Sequence, residues 1–350
     1  MKAQSANSKP SFKPFELMIL PSGQVKTLRA IMSIDKNTPD YNSAEDYDFE
    51  YLSEHTKHKL KSLQNTNFHK FLRESVKQSV KNCGSFLAFK LYQNIKNTEE
   101  FRRTLSGANF CKNRFCIMCA WRKSKQLQTQ TFSTIRHLEE QNHKKYEFLF
   151  LTLTVPNPPM SELNNTVKVM SKAFKKLRER EEWKKAVKGF IRAIEFLGDN
   201  TKEGEAHPHY HCLLMVEKSY FIGRNYLSQE RWRELWSECY GYPNLQVRIE
   251  KIKPKKKADG TVLPAIVCAC YETIKYSMDL TDMNKLSDDD LKELMKQTRG
   301  IRQYNRGGLL KNLVEDLGEI DESVWQYLKE EFYKWSKTFY QEYEPMNKKI

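Results

Sequence analysis

No stretch of this 350-residue chain is apolar for long enough to span a bilayer. The opening Met1-Lys2-Ala3-Gln4-Ser5 lacks the apolar segment of a secretory leader. Internal repeats are absent, so the fold is not read as a stack of units. Acidic residues are in deficit: 44 Asp and Glu face 59 Lys and Arg, a net charge of +15. A mean hydropathy of -0.74 points to a soluble protein. Together these features predict a cytoplasmic protein with no membrane partner, in which the eight cysteines stay thiols or metal ligands.

The positive charge is uneven. From Thr281 onward 12 Lys and Arg stand against 14 Asp and Glu, which leaves 47 against 30, or +17, in residues 1–280. A basic body with 17 tyrosines and 19 phenylalanines suits a polyanion, with nucleic acid the first expectation. A generic basic protein is the plainer alternative.

The segment His207-Pro208-His209-Tyr210-His211, running into Cys212–Val216, holds three of the eight histidines. On a strand, residues two apart share a face, so His209 and His211 aim at one point. Two neutral imidazoles make a ready metal site. Glu195 lies in Ile191-Arg192-Ala193-Ile194-Glu195-Phe196, a second apolar strand. A hairpin with its turn near residue 202 would set Glu195 opposite position 209. The resulting two-nitrogen, one-oxygen set accepts Mg²⁺ or Mn²⁺, and Zn²⁺ in vitro. The alternative for Glu195 is a salt bridge with Arg192 or a lysine. His207, before Pro208, is expected to act outside the ligand set or to touch DNA.

Elsewhere, Tyr146–Val155 reads as a strand and Leu163, Val167, Met170, Phe174 and Leu177 as one stripe of a helix. Strands over Gly189–Leu197 and Ala206–Val216, a helix capped by Ser228 and a strand over Asn244–Ile252 follow. The order is β-α-β-β-α-β, a split-βαβ antiparallel sheet in an α+β fold. Helices are expected at Ala265–Asp279, Asp288–Thr298, Leu309–Leu317 and Glu322–Tyr343. Four regions follow: an arm over 1–60, a Cys-rich DNA-binding region over 61–135, a catalytic domain over 136–320 and a C-terminal helix over 321–350.

On the first of those helices Glu272 and Tyr276 are four apart and share a face. A tyrosine hydroxyl beside a divalent cation can attack a phosphodiester, and a carboxylate one turn away can activate water to resolve the adduct. Lys275 could neutralise a phosphate. A core aromatic is the alternative for Tyr276. Cys111, Cys116 and Cys119 have a spacing that can converge on one tetrahedral Zn²⁺, with Cys83 the natural fourth ligand and His69 its competitor. Buried free thiols are the alternative there.

These segments together resemble rolling-circle plasmid replication initiators of the HUH endonuclease superfamily, the group with one tyrosine and a nearby glutamate. The resemblance rests on Phe150-Leu151-Thr152-Leu153-Thr154-Val155-Pro156-Asn157, His207–His211, Glu272-x-x-Lys275-Tyr276, the Cys111–Lys123 stretch and Gly307-Gly308-Leu309-Leu310-Lys311. It covers roughly Cys83 to Leu317. It implies an HUH palm in which His209, His211 and Glu195 hold the cation, Tyr276 takes the 5′ phosphate and Glu272 activates water in the terminating cleavage. Implied partners are plasmid origin DNA, single-stranded or as an extruded hairpin, and a host helicase and DNA polymerase. Relatives often carry a lysine three residues after the tyrosine, where this chain has Asp279. A relaxase or transposase with the same site, or a zinc-bearing DNA-binding regulator without catalysis, are the alternatives.

Overall fold

The computed structural model describes residues 46–350 except 144–145, 199–200, 257–259, 261, 275–282, 314–319, 321 and 345–350, with the backbone alone at 46–51 and at Glu272. Its elements begin with α1 (Asp46–Gln64), α2 (Glu74–Lys81), β1 (Phe86–Asn94), β2 (Phe101–Ala108) and α3 (Ile117–Asn142). β3 (Tyr146–Thr154), α4 (Leu163–Glu179), α5 (Glu181–Ala186), β4 (Gly189–Glu195), β5 (His209–Glu217), α6 (Gln229–Tyr240) and β6 (Val247–Lys251) follow. A short ribbon of β7 (Lys255–Lys256) and β8 (Val262–Leu263) precedes α7 (Ala265–Thr273), α8 (Asp288–Gln297), β9 (Tyr304–Gly308), β10 (Trp325–Ser336) and β11 (Phe339–Glu342).

The central sheet runs β6-β3-β5-β4-β9 and is antiparallel throughout. Its first four strands have the split-βαβ order expected from the sequence, with β9 added at one edge. Alternation divides the side chains between two faces. One face buries Leu151, Phe190, Tyr210 and Leu214 in a cluster with Met170, Phe174 and Leu177 of α4 and Trp232 and Trp236 of α6. The helical stripe of α4 is buried along its length. Ser228 caps α6, its hydroxyl accepting from the Arg231 N–H at 3.2 Å. The other face buries Phe148, Ile191, Leu213 and Met215 with Leu127 and Ile135 of α3 and with Cys268, Ala269 and Ile274 in and just after α7. Burying each such large apolar side chain contributes about 1.5–3 kcal/mol. The histidines lie at the end of this second face.

β9 joins the sheet through Gly307 and Gly308. A Cβ on Gly308 would lie 2.3 Å from the Lys188 carbonyl, and its φ is +61°. A Cβ on Gly307 would meet the Phe190 ring at 2.4 Å. Only glycine permits this approach.

Three expectations need correction. The segment expected as a helix over Glu322–Tyr343, within the proposed C-terminal helix of 321–350, is the β10–β11 hairpin. Its tight turn carries Lys337 at φ 51°. It completes a sheet of order β11-β10-β1-β2, pairing Leu87 with Tyr333 and Lys90 with Glu330. Aromatic residues at Trp325, Tyr327, Phe332, Tyr333 and Trp335 favour a pleated surface, and the partner strand lies far upstream. Of the helix expected over Leu309–Leu317, residues 309–310 form a turn and 311–312 a bend, and 314–317 lie outside the described residues. Finally, the arm expected over 1–60 is helical from Asp46 onward: α1 buries His55, His58 and Lys59, with the His58 ring stacked on Trp121 at 4.5 Å.

Candidate active site

The register of β4 and β5 sets Glu195 opposite His209 and Ala193 opposite His211, and β3 sets Thr152 opposite His211. Residues directly opposite share a face, so these side chains meet. The Nε2 atoms of His209 and His211 are 3.1 Å apart. Glu195 Oε2 lies 3.3 Å from the first and 3.5 Å from the second. Ligands about 2.1 Å from one small cation stand roughly 3 Å from one another, so these three atoms could form one face of a coordination shell.

Hydrogen bonds orient the ligands. His209 donates from Nδ1 to the His207 carbonyl at 2.8 Å, which fixes the ring so that Nε2 faces the Glu195 carboxylate. Nδ1 of His211 meets the Thr152 hydroxyl at 3.2 Å, and the Phe150 ring stacks on His211 at 5.1 Å. Burial pushes the Glu195 carboxyl up, but hydrogen bonds from His209 and His211 outweigh it and hold the group at about 2. The carboxylate is therefore ionised across the physiological range. Arg192, the alternative partner, projects to the opposite face over Tyr210 and Phe174, at 4.1 and 4.7 Å.

His207 does not join the trio. Its Nδ1 donates to Asn157 Oδ1 at 2.7 Å, and Asn157 in turn donates to Glu205 at 3.3 Å. Burial lowers its pKa, with His209 adding to the effect. Its ring centre lies 4.9 Å from that of His209, one step outside the ligand atoms.

α7 packs on the same sheet face as the histidines. Its end is anchored by α3: the carbonyl of Ile274 accepts from Ser124 Oγ and, at 2.9 Å, from Gln128 Nε2. Lys275 and Tyr276 lie outside the described residues, and of Glu272 only the backbone is described. β9 brings Tyr304 to the neighbouring position, opposite Ala193. Burial pushes that hydroxyl up, which makes it a poor phenolate.

The second cluster forms at the N-terminus of α3. The sulfurs of Cys83, Cys111, Cys116 and Cys119 all lie within 4.8 Å of one another. Cys83 Sγ is 3.5 Å from Cys119 Sγ, which is 3.7 Å from Cys111 Sγ. Thiolates about 2.3 Å from a tetrahedral Zn²⁺ are spaced roughly like this. Backbone N–H groups point at the sulfurs: Lys112 to Cys119 at 3.2 Å, Cys111 to Cys83 at 3.4 Å and Asn113 to Cys111 at 3.5 Å. Hydrogen bonds from Cys111, Cys119 and Cys83 hold the Cys116 thiol well below its usual range, while the contact with Cys111 pushes Cys83 up. Four sulfurs competing for protons fit a shared cation. His69 is buried beside the cluster with no hydrogen bond at Nε2 among the described residues, and the fourth place in the sulfur set is held by Cys83. The remaining cysteines, 212, 239, 268 and 270, are buried as packing residues.

Sequence reasoning missed Thr152, Asn157, Ser124 and Gln128. Each is a polar residue whose role depends on strand register or helix placement; Thr152 and Asn157 lie in the Phe150–Asn157 stretch quoted above, but nothing local marks what they touch. Arg114 was also missed; its guanidinium donates to the carbonyls of Thr298 and Ile301, tying the cysteine loop to the approach of β9.

The family described as "Replication protein" matches residues 102–347. "Protein rep" of Staphylococcus aureus is 34% identical over 63% of this chain and 91% of its own length. "Protein rep" of Streptococcus pneumoniae is 35% identical over 73% and 77%, and that of Lentilactobacillus hilgardii 30% over 79% and 93%. No solved structure matches the chain. Among the described residues no helix is long and apolar enough to cross a membrane. The chain belongs to the replication-protein family of Rep initiators, and its function is in plasmid replication.

Proposed function

We propose that this plasmid replication protein is an HUH endonuclease, which starts rolling-circle replication by nicking single-stranded origin DNA at a divalent cation held by Glu195, His209 and His211. The observation that carries the reading is the triangle of two imidazole nitrogens and one carboxylate oxygen, 3.1–3.5 Å on a side, on the sheet face that α7 covers. Its two nitrogens and one hard oxygen suit Mg²⁺ or Mn²⁺, with open positions for phosphate and water.

When bound, the cation polarises the scissile phosphate and offsets the charge that develops on its oxygens. Tyr276 supplies the nucleophile. Its phenolic oxygen bonds to phosphorus as the bond from phosphorus to the 3′ oxygen breaks. The phenol loses its proton, and the departing oxygen gains one to become a 3′-OH primer for the host polymerase. The 5′ phosphate stays on Tyr276 while a host helicase opens the duplex. Glu272 then takes a proton from water, which attacks phosphorus and frees the tyrosine. When a second hydroxyl attacks instead, the strand is closed. Lys275 neutralises a phosphate oxygen, and His207, held by Asn157, contacts the strand beside the cation. The cysteine cluster holds a structural Zn²⁺ and contributes to origin binding, all in the cytoplasm.

The reading is tested by incubating the protein with Mg²⁺ or Mn²⁺ and an origin oligonucleotide. A covalent protein–DNA adduct is expected, absent in Tyr276→Phe and trapped longer in Glu272→Ala. An adduct that persists in Tyr276→Phe rules out the nucleophile. Binding without cleavage under any divalent ion favours a non-catalytic regulator.

A further inference from the structure

Lys59 is 2% exposed. Lysine is almost never buried unless paired, and among the described residues no carboxylate pairs with this one. Its Nζ donates instead to two carbonyl oxygens, that of Cys83 at 2.6 Å and that of Lys81 at 3.2 Å. Both belong to the segment that delivers the first cysteine of the cluster. The same helix continues along the site: Ser62 Oγ lies 3.9 Å from Cys116 Sγ, and just past its end Asn65 Nδ2 donates to the Phe115 carbonyl at 3.4 Å. α1 thus forms one wall of the cysteine cluster.

Two neutral carbonyls accept two of the ammonium's three hydrogen bonds and leave its charge uncompensated. Four thiolates around one divalent ion carry a twofold negative charge in excess. A buried ammonium next to that site and a metal-thiolate centre next to that ammonium each lower the cost of the other.

We infer that Lys59 is a positioning residue of the cysteine metal site, fixing the Cys83 backbone and supplying the buried positive charge that a tetrathiolate centre requires. Metal binding and the seating of α1 are therefore linked. The inference rests on the proposed zinc site and is independent of the nicking chemistry.

The experiment uses the full-length, reduced protein, stripped by chelation and titrated with Co²⁺ and then with competing Zn²⁺. Lys59→Met keeps the length and apolar bulk of the side chain and removes the charge. It should retain the sulfur-to-cobalt absorption band but bind Zn²⁺ about 10–100-fold more weakly. Lys57→Met, two positions away, removes an exposed lysine paired with Glu54 and should bind as the parent does. Hydrogen exchange over residues 52–64 supplies a second reading: in the parent, removing the metal should accelerate exchange. That measurement decides the matter if Lys59→Met fails to fold. Equal Zn²⁺ affinity in Lys59→Met, or exchange in α1 indifferent to metal, overturns the inference. Absence of the sulfur band in the parent overturns the zinc site, and the inference with it.

Discussion

The cysteine cluster takes its ligands from a loop, a helix start and the end of a second helix, whereas Glu195, His209 and His211 come from paired strands with fixed register. Four sulfurs surrounded by N–H donors close the first site. Three ligands of mixed type leave the second open on one side. Closed sets suit structure and open ones suit chemistry. Under the proposed function, the closed set would organise α1, the start of α3 and the loop that carries Cys111, while the open set would hold its cation where origin DNA docks.

Breaking the open site should have the larger effect on chemistry. His209→Ala is expected to lower adduct formation by about 1000-fold, since removing a ligand forfeits several kcal/mol of charge stabilisation. Its Zn²⁺ content, measured by elemental analysis, should be unchanged. Breaking the closed site should act on the fold. Cys116→Ser is expected to lose the bound Zn²⁺ and destabilise the protein by about 3–5 kcal/mol, a drop in Tm of roughly 10 °C. Equal losses of nicking and stability in both variants would erase the distinction.

Titration sharpens it further. The folded-state pKa of Glu195 is depressed to about 2. Its contribution to stability is therefore present above the ordinary carboxylate value of about 4.3 and lost as pH falls toward 2. In chelator-treated protein, Glu195→Gln should cost about 1–3 kcal/mol near neutrality by urea unfolding, and the deficit should shrink below about pH 4. The smallest effect is expected for Thr152→Val, which removes the hydroxyl beside His211 Nδ1. Mn²⁺ affinity should fall by about tenfold, with stability little changed.

The open site was more legible in the sequence than its surroundings. A period of two placed His209 and His211 on one face, and the hairpin length alone set Glu195 opposite His209, which is the observed register. Cysteine spacing grouped Cys111, Cys116 and Cys119 because the residues are close in sequence, and left Cys83 and His69 competing for the fourth place. Lys59 and Arg114 carry no such mark, because their partners are backbone carbonyls far along the chain. The hairpin of β10 and β11 was hidden for the same reason: its charged and aromatic residues fit either period until β1 is known to lie beside it. α1 was read as an arm because its buried face consists of histidine and lysine instead of aliphatic residues.

The most direct test is a crystal structure of the protein with Mn²⁺ and a short single strand spanning the nick site, using the metal's anomalous signal. The account predicts one Mn²⁺ peak bonded to Glu195, His209 and His211, with the Tyr276 oxygen beside the scissile phosphate. A peak elsewhere, or a tyrosine out of reach of the phosphate while the strand is bound, would contradict it.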